Sequence, residues 1–181
     1  VAHLLSCASP AICLTLLPFF TFSSLFPPEL SRNSPDGVSV GLGEDDNIFE
    51  WELMIVGPPD TFYEEGLFKA TLKFPADFPN SPPKMIFTTE ICHPNVYENG
   101  EVCISILHPP GEDAHNPQEL AIERWRPILG VEAVIVSVIS MLCDPNIESP
   151  AHLDNAKLFR DDLPGFKKKC RQCVRKSQED F

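Results

Sequence analysis

The stretch 49–74, FEWELMIVGPPDTFYEEGLFKATLKF, decides how this chain folds. Its last part, Phe68 to Phe74, alternates apolar and polar side chains over seven positions, the period of a strand with one face buried. Phe49 to Val56 reads as a longer strand, and Gly57-Pro58-Pro59-Asp60 after it is turn chemistry. Working outward, Val38 to Leu42 predicts a short strand before this pair. Lys84 to Phe87 predicts a fourth after Pro82-Pro83, with Pro75 and Pro79 bounding the turn between. Four strands in series with short turns predict an antiparallel meander.

The pattern changes after residue 129. Val131 to Leu142, VEAVIVSVISML, is apolar nearly all round and too long for an ordinary strand, and Asp144-Pro145-Asn146 ends it. A buried helix is the expectation. Ser149 is placed to cap a helix with Pro150 at its first position, running to about Asp161. Phe166 to Lys176 predicts a last, amphipathic helix whose many basic residues form a charged face. Sheet first and helices afterwards is an α+β fold, with the helices packed on the sheet.

The length of 181 residues suits one domain with an appendage. Residues 1–28 carry no Asp, Glu, Lys or Arg, and Pro10, Pro18, Pro27 and Pro28 interrupt their apolar run. A membrane span needs about 20 unbroken apolar residues, and a signal peptide needs a basic start, so neither is expected. The chain begins with Val rather than Met, and we read 1–28 as an irregular segment foreign to the domain, with a membrane anchor as the minority alternative. The domain proper is expected over 29–181. The net charge of −12 argues against a nucleic-acid partner. Seven cysteines without framework spacing suit a reduced, cytosolic or nuclear protein.

One stretch carries chemistry. In Cys92 to Leu107, CHPNVYENGEVCISIL, the turn Glu98-Asn99-Gly100-Glu101 folds His93-Pro94-Asn95 back towards Cys103. That arrangement aims the Asn95 amide at an oxyanion formed on an acyl group of the cysteine. An arbitrary cysteine is more often a small buried hydrophobe than a nucleophile, and Cys143, inside the apolar helix, is expected to be one. Cys170-Arg-Gln-Cys173 lies in a basic helix without the βαβ context of a redox dithiol. Cys92, His93, Cys103 and His108 match no zinc spacing, so no metal site is expected. No histidine stands out as a base for a Cys–His protease.

The run HPNVYENGEVCISILHPP resembles the ubiquitin-conjugating enzymes, as do GPPDTFYEEGLFKATLKFP and FPNSPPK before it and ERWRP and SVISMLCDPNIESPA after it. The resemblance covers Glu29 to Gln178. The long gap from Cys103 to Trp125 is similar to the subgroup with an acidic insertion, the G-type and cell-division-cycle-type enzymes. The resemblance implies the ubiquitin-conjugating fold, with Cys103 as the thioester-forming cysteine and Asn95 as the oxyanion-stabilising amide. It implies that His93 and Pro94 shape the active-site turn, the histidine being structural rather than a base. Glu148 and Ser149 fall where the family gates the incoming lysine. The loop from His108 through Glu112 and Asp113 to Glu123 corresponds to the acidic loop used in building degradative chains. Asn80, Pro127 and Ile128 stand at ligase-facing positions.

The implied partners are ubiquitin, its activating enzyme, a RING-type ligase and a protein substrate. No cofactor is implied, since ATP is used by the activating enzyme. Because a thioester is already activated, positioning and oxyanion stabilisation matter more than a strong base. The chain also departs from the pattern. The family's first helix, its docking element for the activating enzyme, would precede Glu29, where prolines make a regular helix implausible. Asn80 replaces a bulky aromatic or apolar residue, Cys92 an aromatic, Glu65 a glycine and His152 an asparagine. The competing class of function is therefore a binding or decoy module that cannot be charged, and a membrane-tethered enzyme is a third.

Overall fold

The computed structural model describes residues 35–42, 47–112 and 119–179. Strands β1 (Val38–Leu42), β2 (Glu50–Val56), β3 (Leu67–Lys73) and β4 (Lys84–Phe87) form one antiparallel sheet in the order β1-β2-β3-β4. The alternation that predicts the strands also sets their faces. Trp51, Leu53 and Ile55 of β2 and Phe68, Ala70 and Leu72 of β3 all point into the core, with Trp51 opposite Leu72 and Ile55 opposite Phe68. A one-residue slip would turn both sets towards water, so the buried face fixes the register.

Helix α1 (Val131–Cys143) joins that core through Val131, Val134, Ile135, Val138, Met141 and Leu142. Their spacing is that of one helical stripe. Val136 on the other side is half exposed. Cys143 lies at the helix's last position and is exposed, not buried as expected. The last turn carries it off the apolar stripe.

The helix start expected at Ser149 is corrected. Helix α2 spans Leu153–Asp161, and its N-cap is His152, whose Nδ1 accepts from the Asn155 N–H. Ser149 cannot begin a helix here because its carbonyl receives the Asn95 amide, while the His152 N–H is bonded to the Pro94 carbonyl. Helix α3 spans Leu163–Glu179, three residues earlier than the expected start. Asp162 begins it, accepting from the Gly165 N–H through Oδ1 and from the Phe166 N–H through its carbonyl. Pro164 fits because the first turn has no intrahelical use for its missing N–H.

Among the described residues, two without glycine's freedom sit at positive φ, Asp60 at 60° and Glu65 at 65°. Position 65 therefore does demand the left-handed conformation that the resemblance assigns to a glycine. Residues 1–28, with every expectation placed on them, lie outside the described residues, as does Asp113. No helix among the described residues is long and apolar enough to cross a membrane.

Candidate active site

The chain leaves β4 and makes the tight loop expected between Asn95 and Cys103. Val96 bridges Val102, Ile86 bridges Glu101, and the Cys103 N–H donates to the Asn95 carbonyl at 2.9 Å. Gly100 turns this loop at φ +84°, and a Cβ there would lie 2.1 Å from the Phe87 carbonyl oxygen. Only glycine satisfies both demands.

The first arm of the loop is locked from beneath. His93 is fully buried, accepts the Asn95 N–H at its Nδ1 (2.9 Å) and places Nε2 3.0 Å from the Met141 carbonyl. Nδ1 is thus the acceptor and Nε2 the donor, the neutral tautomer. Burial lowers its pKa to about 4, which keeps it out of proton transfer near neutrality. Tyr63 donates to the Cys92 carbonyl at 2.7 Å, and the Cys92 thiol points to Asn155 of α2. Cys170 and Cys173 of α3 are buried in the same core.

Asn95 is buried, and its amide is already engaged. Nδ2 donates to the carbonyls of Asn146 (2.8 Å) and Ser149 (3.4 Å), and Oδ1 accepts the Asn146 N–H at 2.8 Å. These bonds draw the loop with Glu148 and Ser149 against the active-site turn. The Asn146 side chain in turn accepts from the backbone N–H groups of Glu148 and Ser149. Glu148 and Ser149 themselves are exposed at its rim.

Cys103 is half-buried and opens on a pocket of about 210 Å³ lined also by Pro83, Lys84, Tyr97, Glu101, Leu107 and His108. The Tyr97 hydroxyl lies 3.6 Å from the sulfur. After Cys103 a single 3₁₀ turn, Ser105–Leu107, reverses the chain. It brings His108 Nε2 to 3.4 Å from Cys103 Sγ. The Nδ1 of that ring sits between both oxygens of Glu119, at 2.8 and 3.0 Å. Arg124 closes the chain, donating through Nη2 to Glu119 and through Nη1 to the Pro109 carbonyl. No histidine stands out in the sequence as a partner of Cys103, and the structure supplies one in His108.

The charges follow from this geometry. The His108 ring holds the Cys103 thiol below its ordinary pKa against the opposing effect of burial, with Tyr97 helping. The thiol in turn raises the His108 pKa, burial opposes the rise and Glu119 adds to it. Burial works against the Glu119 carboxylate, yet Ser105, His108 and Arg124 hold it below its usual range.

Tyr97, Glu119 and Arg124 were missed by sequence reasoning, and His108 was assigned only to the acidic loop. The His108–Cys103 contact had a signal, since a single 3₁₀ turn over five residues returns the chain on itself. No periodicity links position 108 to 119. Glu112 is exposed, away from the contacts that gather around His108. At the far side, Trp125 is fully buried and its Nε1 donates to the Pro79 carbonyl at 2.8 Å. That bond brings the turn bearing Asn80 beside the loop bearing Pro127 and Ile128, all exposed, with Ile128 87% exposed.

Residues 24–174 match the family model described as ubiquitin-conjugating enzyme. The chain is 59% identical over 151 residues to "Ubiquitin-conjugating enzyme E2 15" of Schizosaccharomyces pombe, covering 83% of this chain and 90% of that protein. It is 55% identical over 153 residues to "Ubiquitin-conjugating enzyme E2 7" of Arabidopsis thaliana, covering 84% and 92%. It is 50% identical over 149 residues to the human "Ubiquitin-conjugating enzyme E2 G2", covering 82% and 90%, which supports the G-type resemblance.

Proposed function

The chain belongs to the ubiquitin-conjugating enzyme family, a family of transferases, and on that premise we propose that it carries ubiquitin as a thioester on Cys103 and delivers it to a lysine. The observation that carries this reading is the half-open Cys103 thiol, paired with an imidazole and seated beside an acyl-sized pocket. Of the other described cysteines, Cys92, Cys170 and Cys173 are buried, and Cys143 is exposed at the end of α1.

Delivery needs a neutral amine, and a lysine's ordinary pKa is near 10.4, so the acceptor must lose a proton on arrival. An open cleft of about 670 Å³ runs beside the turn, lined by Tyr97, Glu98, Glu101, Leu153 and Asp154 among others. Its carboxylates attract a cationic side chain electrostatically, and Glu148 and Ser149, exposed beside the active-site turn, complete the gate. In transfer, Asn95 has to redirect one amide proton from a loop carbonyl to the oxyanion, a movement its long 3.4 Å bond to Ser149 makes cheap. A RING-type ligase is the partner for the surface of Asn80, Pro127 and Ile128. The loop with His108, Glu112 and Asp113 is the element that would favour degradative chains.

A charging reaction with activating enzyme, ATP and ubiquitin tests the proposal. A thiol-sensitive band one ubiquitin heavier, absent for Cys103→Ala, supports it; charging that survives Cys103→Ala contradicts it.

A further inference from the structure

We propose that His108 is a catalytic residue whose Nε2 takes the Cys103 proton as the thiol attacks an incoming ubiquitin thioester, with Glu119 and Arg124 holding the ring in the tautomer that allows it. The inference rests on Cys103 being the ubiquitin carrier. The geometry is a continuous chain of four side chains, from Sγ to Nε2 at 3.4 Å, from Nδ1 to Glu119 at 2.8 Å, and from Glu119 to Arg124. A carboxylate at Nδ1 keeps a proton there, which leaves the Nε2 lone pair facing the sulfur. The 3₁₀ turn fixes the ring from one side, and the Trp125 N–H, bonded to the His108 carbonyl at 3.2 Å, fixes it from the other.

The step balances without a further reactant. The Cys103 S–H proton passes to His108 Nε2, the sulfur forms a bond to the ubiquitin carbonyl carbon, and the donor enzyme's C–S bond breaks. The departing thiolate then takes the proton from the imidazolium. The charged and titratable groups facing the pair are Tyr97 and the Lys84–Glu101 ion pair from the turn and β4, and Glu119 and Arg124 from the loop beyond. Glu119 and Arg124 side chains are each only 6% exposed, so this ion pair is screened little by salt.

The test follows the thiol directly. Alkylation of Cys103 by iodoacetamide is measured against pH on the full chain, by mass spectrometry of the Cys103 peptide, with Cys143 followed in the same digest as a control. Thiolate is the reacting form. His108→Gln, which can hydrogen-bond but cannot accept the proton at neutral pH, is expected to move the midpoint up by about one pH unit. At pH 7 it should slow alkylation by roughly three- to tenfold, the lower figure allowing for the greater nucleophilicity of a more basic thiolate. Glu119→Gln should shift the midpoint in the same direction by less. A midpoint for His108→Gln equal to that of the native chain overturns the proposal.

A second measurement needs no change at position 108. The His108 ring resonance, titrated by NMR, is expected to fall in pKa in Cys103→Ala, because its anionic partner is gone. An unchanged titration overturns the proposal independently. Charging assayed on the same samples separates the two readings. Charging on Cys103 with unshifted midpoints removes the proton transfer and leaves the carrier, whereas shifted midpoints with ubiquitin on another cysteine remove the carrier assignment.

Discussion

The side-chain amide of Asn95 and the backbone of Asn146 bind each other twice, through Nδ2 to the carbonyl and from the N–H to Oδ1, both at 2.8 Å. The pair joins two segments 51 residues apart, and it means that the amide assigned to the oxyanion also builds the site it works in. Asn95→Ala is expected to accept ubiquitin and to discharge it slowly to lysine, since removal of one oxyanion donor costs on the order of 10²–10³ in rate. It should also lose about 1–3 kcal/mol of stability, because three partly buried backbone groups lose their partner. Urea denaturation beside single-turnover discharge reads both. Discharge at the native rate would remove Asn95 from the mechanism.

His93 makes stability depend on pH. Burial lowers its pKa in the folded protein to about 4, against an unfolded value near 6.5. Between these values the unfolded chain binds more protons, so stability rises with pH. The contribution is complete above about pH 6.5 and is lost as pH falls through 4, amounting to about 2 kcal/mol by pH 5 and about 3 kcal/mol in full. Urea midpoints at pH 7.5 and 5 should therefore fall further for the native chain than for His93→Gln, which has nothing to protonate. Equal falls would show that the buried imidazole does not govern this range.

Glu65 stores strain that can be released. At φ 65° a non-glycine residue costs roughly 1–2 kcal/mol, part of which glycine returns through its freer unfolded state. The Gln178 side chain bonds only the Glu65 carbonyl in this contact, at 2.9 Å, so the bond survives substitution. Glu65→Gly is expected to raise Tm by about 2–4 °C per kcal/mol gained. A lower Tm would mean that the side chain contributes more than its backbone conformation costs.

Ile128 tests the proposed ligase surface. With 87% of it exposed, truncation removes almost no packing, and Ile128→Ala should unfold at the native temperature. Charging is expected to be unchanged, while stimulation of discharge by a RING domain falls at least tenfold, the usual weight of an apolar anchor at an interface. Undiminished stimulation would move the docking site elsewhere.

The meander was legible because period-two alternation and proline-bounded turns leave few other arrangements for residues 38–87. Helix α1 was legible from length alone. The entry into α2 was not, because Ser149-Pro150 has the local chemistry of a helix start while Asn95 and Pro94, more than fifty residues earlier, hold those carbonyl and amide groups. Cys143 misled for a related reason, since an apolar helix buries only one stripe, and Cys143 lies off it while Met141 and Leu142 of the same turn lie on it. In the site, local turn chemistry placed His93, Pro94 and Asn95 about Cys103. The arrangement of His108, Glu119 and Arg124 depends on loop closure over eleven residues, and no propensity or period records that.

Replacement of sulfur by oxygen at position 103 tests the carrier most directly. In the charging reaction the native chain and Cys143→Ser should each give a ubiquitin adduct that thiol removes. Cys103→Ser should give an oxyester that withstands thiol and is cleaved by hydroxide. A thiol-labile adduct persisting in Cys103→Ser, or its loss in Cys143→Ser, would place ubiquitin on a different sulfur and contradict the account.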